Sequence, residues 1–84
     1  MYKISITRRA EKDLRNLDRQ TKNRIVIEIR SLANDPRPLG CRRIISEPGV
    51  WRIRVSDWRV GYRIVDDPKE VSVIRIAHRR EFYE

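Results

Sequence analysis

The sequence predicts an α+β domain: a small twisted antiparallel sheet with an N-terminal two-helix hairpin packed on one face. Two observations carry this. Apolar residues recur with a helical period over residues 8–33 and alternate like strands over residues 41–77. Short clusters of Gly, Pro, Asp and Ser punctuate the second stretch at regular intervals, as consecutive strands joined by tight turns require. Two helices covering one side of a small sheet is a stable layered solution, and it leaves the other side of the sheet open.

The elements follow in order. Tyr2, Ile4 and Ile6 alternate, which predicts a first strand. Thr7 can cap a helix by accepting from a free backbone N–H. Behind it, Ala10, Leu14 and Leu17 form an apolar stripe on an otherwise charged helix. Asp18 opens a second helix whose Ile25, Ile29, Leu32 and Ala33 share a face, joined by Val26. Asn34-Asp35-Pro36 ends it, and Pro36-Arg37-Pro38-Leu39-Gly40 is a turn. Strands are predicted at 41–46, 50–56, 59–65 and 71–77, broken at Glu47-Pro48-Gly49, Ser56-Asp57 and Asp66-Asp67-Pro68.

At 84 residues the chain is expected to be a single domain, 1–84. A fold of this size buries roughly 60% of its unfolded surface, so binding a partner would add usefully to a modest stability. The formal charge is +8 and the isoelectric point about 10.6, which points to polyanionic partners. No apolar run reaches the length of a membrane span and no signal-peptide pattern opens the chain, so a cytoplasmic protein with no membrane partner is expected. One cysteine, Cys41, and one histidine, His78, make a zinc or haem site improbable, and no metal or other cofactor is expected.

Strand period sorts the arginines. Trp51, Ile53 and Val55 point one way, Arg52 and Arg54 the other. Val60, Tyr62 and Ile64 oppose Arg59, Gly61 and Arg63, while Ile74 and Ile76 oppose Val73, Arg75 and Ala77. Arg52, Arg54, Arg59, Arg63 and Arg75 thus fall on the side the helices leave open. Between residues 37 and 63 there are seven basic residues against Glu47 and Asp57. An open sheet face must be polar, which accounts for one or two arginines. Five neighbouring like charges repel and call for compensation. Phosphate suits the planar guanidinium fork; Asp66 and Glu70 are acids that could instead neutralise Arg63 or Arg75. The helical charges are of mixed sign and fit a solvated face.

Four segments resemble the RelE branch of the RelE/ParE toxin superfamily: Ala10-Glu11-Lys12-Asp13-Leu14-Arg15-Asn16-Leu17; Asn34-Asp35-Pro36-Arg37-Pro38-Leu39-Gly40; Trp51-Arg52-Ile53-Arg54-Val55-Ser56-Asp57-Trp58-Arg59-Val60-Gly61-Tyr62; and His78-Arg79-Arg80-Glu81-Phe82-Tyr83. The resemblance runs through nearly the whole chain in order and spacing. It implies the RelE-like fold, a toxin of a type II toxin–antitoxin system, and metal-independent endonucleolytic cleavage of mRNA at the ribosomal A site, in which the ribose 2′-OH attacks the adjacent phosphodiester. It implies as partners a short, acidic, RelB-like antitoxin, mRNA and the 70S ribosome, with operator DNA bound only by the toxin–antitoxin complex. Arg59 matches the family's phosphate-clamping arginine, and Arg79 a second one, with Arg80 a rival for that place. Arg52 and Arg54 stand where several members carry lysine. Since arginine does not give up its proton, they would act electrostatically and leave proton transfer to Tyr83 or His78. Arg42, Arg43, Arg63, Arg75 and Arg80 complete the expected RNA-binding set. Ser56 departs from the family's usual glycine. The ParE branch shares the fold but poisons DNA gyrase without nuclease activity; Arg59, Arg79 and Tyr83 favour the RelE reading.

Overall fold

Thr7 turns the chain from strand to helix. Its side chain accepts from the Ala10 backbone N–H at 3.2 Å, the expected cap. In the computed structural model, which describes residues 1–83, this junction joins β1 (Lys3–Ile6) to α1 (Arg8–Arg15). Asp18 occupies the cap position of α2 (Arg19–Ser31), without a side-chain capping bond. The chain then passes through the Pro36–Pro38 turn into β2 (Arg42–Arg43), β3 (Val50–Val55), β4 (Trp58–Asp66) and β5 (Lys69–His78).

The five strands form one sheet in the order β1-β5-β4-β3-β2. Strands β2 to β5 make the expected antiparallel meander. β1 lies parallel to β5, with Ile4 opposite Val71 and Ile6 opposite Val73. The long intervening chain makes that parallel return affordable in length. The strand expected over 41–46 shrinks to two residues. Instead of extending, Ile44 to Val50 fold into a tight loop in which Glu47 N donates to Ile44 O and Val50 N to Glu47 O, each at 3.1 Å.

The helices cover one face with the core that the periodicity required. Ala10, Leu14, Ile25, Ile29 and Leu32 meet Ile53, Val55, Val60, Tyr62, Val71, Val73 and Ile76. Each large apolar side chain so buried contributes on the order of 1.5–3 kcal/mol. Val73 and Ile74 are a correction to the alternation read from sequence. A register shift lets Tyr62 pair with Val73 while Gly61 pairs with Arg75. Ile74 is the extra residue of a β-bulge. Val73 therefore faces the helices and Ile74 the other side, after which Arg75, Ile76 and Ala77 resume the expected phase. Helix α1 satisfies the bulge's neighbourhood: Thr7 Oγ1 donates to Ile74 O at 3.2 Å, and Asp13 Oδ2 accepts from Ile76 N at 2.9 Å.

The second face is not left bare. Phe82, 1% exposed, folds back onto it and joins Ile44 and Val50 in a small apolar cluster, flanked by Ile74 and Ala77. On the helix side, Tyr62 is fully buried and donates to Pro36 O at 2.7 Å, which fixes the turn after α2 to the centre of the sheet. Burial pushes its phenol pKa far up, so it stays a donor.

Tyr62→Phe would leave the Pro36 carbonyl without its buried donor. We expect a loss of about 1–3 kcal/mol, read as a lower urea midpoint at unchanged slope.

Candidate active site on the arginine face

Cross-strand register arranges the second face in rows. Arg42, Arg52, Gly61 and Arg75 are successive partners across β2, β3, β4 and β5. Arg54, Arg59 and Ala77 form the next row toward the β3–β4 turn. Val50, Arg63 and Ser72 form a row on the far side. Period 2 thus delivered the five arginines to one face, but the structure uses them differently.

Arg59 is 9% exposed, and its Nη1 donates to Trp58 O at 2.9 Å and Ser56 O at 3.1 Å. Ser56 makes the tight turn between β3 and β4 in the left-handed region, at φ 56°, where a glycine would sit without strain. Ser56 adopts that conformation here, and its carbonyl helps to aim Arg59. Burial, and after it the charge of Arg54, lowers the pKa of the Arg59 guanidinium; Arg52 and Arg79 act in the same direction and Tyr83 against it. An arginine pKa has far to fall, so Arg59 remains a cation.

Arg52 is 6% exposed. Its Nε donates to the Tyr83 hydroxyl at 2.9 Å and its Nη1 to Gly40 O at 3.4 Å. Arg54 is exposed beside Arg59. Arg79 is anchored through its backbone, which donates to Asp57 O at 2.8 Å, and its Nε lies 3.9 Å from the Asp57 carboxylate. That contact is solvent-exposed and weak. The structure therefore gathers Arg52, Arg54, Arg59, Arg79 and Tyr83 around the β3–β4 turn and the end of β5.

Other expected site residues lie elsewhere or are engaged. His78 pairs with Trp58, which packs against the helix-side core. It borders a hollow with Arg9, Asp13 and Asn16 of the helical layer, on the opposite side of the sheet from Arg59. Its ring packs edge-on against Trp58 at 5.6 Å. Arg43 pairs with Trp51 and lies over that ring at 5.9 Å, on the helix side. Arg75 keeps its face, but its guanidinium is taken by Glu47 at 2.9 and 3.0 Å, not by Asp66 or Glu70. Asp66 instead binds Arg37 at 3.1 Å. Arg63 is exposed, reaching Pro48 O at 3.3 Å. Arg42 lines a cavity of about 370 Å³ with Arg52, Arg54 and the end of α2. Arg80 is exposed. Sequence reasoning missed Glu47, Gly61 and Phe82; the bare glycine in the middle of a strand was the one available sign of a close approach.

No helix among the described residues is long and apolar enough to cross a membrane. Among them, too, no three His, Cys, Asp or Glu side chains cluster as metal ligands would.

The α+β sheet with one helical layer is the fold that the comparisons with known proteins return. The chain belongs to the family of ParE toxins of type II toxin–antitoxin systems (parDE), whose model matches residues 4–83, within the RelE/ParE superfamily that the motifs had suggested. Its fold is similar to that in the RelBE2 toxin–antitoxin complex of Mycobacterium tuberculosis, at 25% identity and a TM-score of 0.82, over 92% of this chain and 96% of that one. The isolated RelE toxin of E. coli is similar at 21% identity and a TM-score of 0.80, over 93% of this chain and 84% of that one. A YoeB/ParE toxin from Agrobacterium tumefaciens aligns at 22% identity and a TM-score of 0.77, over 90% of this chain and 96% of that one. No curated protein sequence matches.

The Arg75 guanidinium holds the Glu47 carboxyl below its usual pKa, with smaller help from Arg63 and Arg9. A carboxyl whose pKa is depressed by folding stabilises above its unfolded pKa and loses that contribution as pH falls through the folded value. Thermal melts should therefore show wild type losing stability relative to Glu47→Gln below about pH 4, and the two running parallel from pH 6 to 8.

Proposed function

We propose that this toxin is a metal-independent endoribonuclease that cleaves mRNA, at the ribosomal A site. The convergence of Arg52, Arg54, Arg59 and Arg79 with the Tyr83 hydroxyl on one face supports this reading most directly. Transesterification by a ribose 2′-OH requires a held phosphate, stabilisation of added negative charge and two proton movements. Arg59, pinned by backbone carbonyls, is preorganised for the phosphate oxygens, as electrostatic catalysis requires. Arg54, Arg52 and Arg79 all lie near enough for their charges to act on it.

In the reaction the 2′-oxygen bonds to phosphorus as the bond from phosphorus to the 5′-oxygen breaks. The products are a 2′,3′-cyclic phosphate and a 5′-hydroxyl. The 2′-OH loses its proton to a solvent water, or to a non-bridging oxygen of the phosphate it attacks, and the leaving oxygen gains one. Tyr83 is assigned the proton-transfer role. Its oxygen accepts from Arg52 Nε, which leaves its own O–H free to donate to the leaving oxygen. His78, across the sheet, is not assigned this role. Arg42, Arg63 and Arg80 are exposed and suited to the flanking RNA backbone; Arg43, over the Trp51 ring, is assigned a lesser part, and Arg75, held by Glu47, none.

The partners follow the same reading: a short acidic antitoxin of the RelB kind, the 70S ribosome and its mRNA, in the cytoplasm, and operator DNA only through the toxin–antitoxin complex. Solved relatives include RelB–RelE complexes, and a +8 chain suits an acidic antitoxin. The second reading, a gyrase poison without nuclease activity, draws on the ParE name of the matching family model.

Primer extension on a reporter mRNA in a translating extract tests the proposal. Wild type should cut at defined codon positions. Arg59→Ala should lower the rate by about 100-fold or more, as loss of one preorganised transition-state donor does. Tyr83→Phe should cost about 100-fold if its hydroxyl moves a proton. An uncut message with folded wild-type protein would overturn the nuclease reading and favour gyrase.

A further inference from the structure

Glu47, Arg75, Gly61 and Phe82 have no part in the chemistry proposed above, yet they are joined to it through one short segment. Glu47 grips the Arg75 guanidinium with both carboxylate oxygens, at 2.9 and 3.0 Å. The Arg75 side chain is 15% exposed, so this pair is better shielded than an ordinary surface ion pair. Arg75 Cζ lies 4.5 Å from the centroid of the Phe82 ring, within the range of a cation–π contact. Another neighbour of the ring is Gly61. A Cβ there would lie 3.0 Å from Phe82 Cζ and 3.3 Å from Cε1, so a side chain at 61 would force the ring to give by a few tenths of an ångström. Gly61 and Arg75 are cross-strand partners. Strand register thus places the vacant position and the gripped guanidinium side by side, and Phe82 fills the space.

What Phe82 holds is the segment that bears Arg79 and Tyr83. The segment leaves β5 in a turn where Glu81 N and Phe82 N both donate to His78 O, at 2.8 and 3.0 Å. Its beginning is tied to the β3–β4 turn by Arg79 N to Asp57 O. Its far end has Tyr83, 61% exposed, whose hydroxyl accepts from Arg52 and whose ring packs edge-on against Phe82 at 5.1 Å. Without a buried neighbour, a tyrosine that is 61% exposed would have many rotamers to lose before chemistry. The buried Phe82 removes that freedom beforehand.

We propose that Glu47 and Arg75 are positioning residues: together with Gly61 they form a seat for Phe82 that fixes the C-terminal segment and holds Tyr83 against Arg52. The seat stands on geometry alone; its effect on cleavage rests on the nuclease reading. Arg75 accordingly serves the site through Phe82 and does not bind RNA.

The test uses the full chain and two readouts. By NMR, the Gly61 α protons should show NOEs to the Phe82 ring protons, and Tyr83 ring protons should show NOEs to the Arg52 side chain. By single-turnover RNA cleavage, rate and half-saturation are separated. Glu47→Gln and Gly61→Ala should each weaken both NMR signatures and lower the maximal rate by about 10- to 100-fold, with half-saturation little changed. Glu47→Asp should restore part of the rate. Gly61→Ala combined with Phe82→Leu, which removes the clashing ring atoms, should fold as well as Phe82→Leu alone, so a folding failure of the single variant can be recognised. Glu70→Gln, an exposed acid on β5, should change neither readout. Unchanged signatures in Glu47→Gln, or lost signatures with an unchanged rate, would overturn the proposal. If wild type cuts no RNA, the nuclease reading fails, and the NMR arm still decides whether the seat exists.

Discussion

The burial of Phe82 against Gly61 is the contact on which the arginine face depends. A sheet with helices on one side satisfies its apolar residues there and leaves the opposite side to water. Strand alternation then fills that side with polar groups, but alternation alone does not build a site. Phe82 brings the segment after β5 back across the face, and with it Tyr83 reaches Arg52, while Arg79 is tied near Arg59 by its own backbone bond to Asp57 O. Gly61 makes this approach possible, and the bulge at Ile74 keeps Arg75 beside it.

Like charges crowd this face, and each is contained by a different device. Arg75 is neutralised by Glu47. Arg59 is held by two backbone carbonyls, whose partial negative charge orients it without cancelling it. Arg52 leans on Tyr83 and Gly40 O. Among the described residues, the carboxylates paired with arginines on this face are Glu47 and Asp57, and Asp57 only at 3.9 Å. An uncompensated excess near Arg59 is therefore built in. It suits a group bearing concentrated negative charge, such as a phosphodiester in transit. The same excess suits an acidic protein segment, so an antitoxin that covered it would also relieve repulsion within the toxin.

Much of the fold was legible because it depends on short-range periodicity. Thr7 capped its helix, Leu14, Ile25 and Ile29 reached the core, and Arg52, Arg54 and Arg59 took the open face as alternation required. The errors came from features that periodicity does not encode. The bulge at Ile74 inserted one residue and exchanged the faces of Val73 and Ile74. His78 is a separate case: the family motif supplied it, and alternation, which gives it the phase of Ile76, sets it with Trp58 on the helix side. Glu47 lies in the turn read from sequence, but its bond to Arg75 was missed, because that partner is 28 positions away and contacts at that distance leave no local pattern. The family motifs located Arg79 and Tyr83 by order alone; why a chain end should be fixed in space became clear only with Phe82 buried.

The central claim is that a cationic face with a positioned tyrosine serves RNA transesterification. The most direct measurement is the chemistry of the ends made by purified toxin on ribosome-bound mRNA, with a parallel incubation of gyrase and supercoiled DNA. The account predicts 5′-hydroxyl ends paired with 2′,3′-cyclic or 3′-phosphate ends on the RNA, produced equally after the toxin has been stripped with EDTA, and intact DNA. Uncut RNA together with gyrase-dependent DNA breaks, or RNA ends bearing 5′-phosphate, would contradict it.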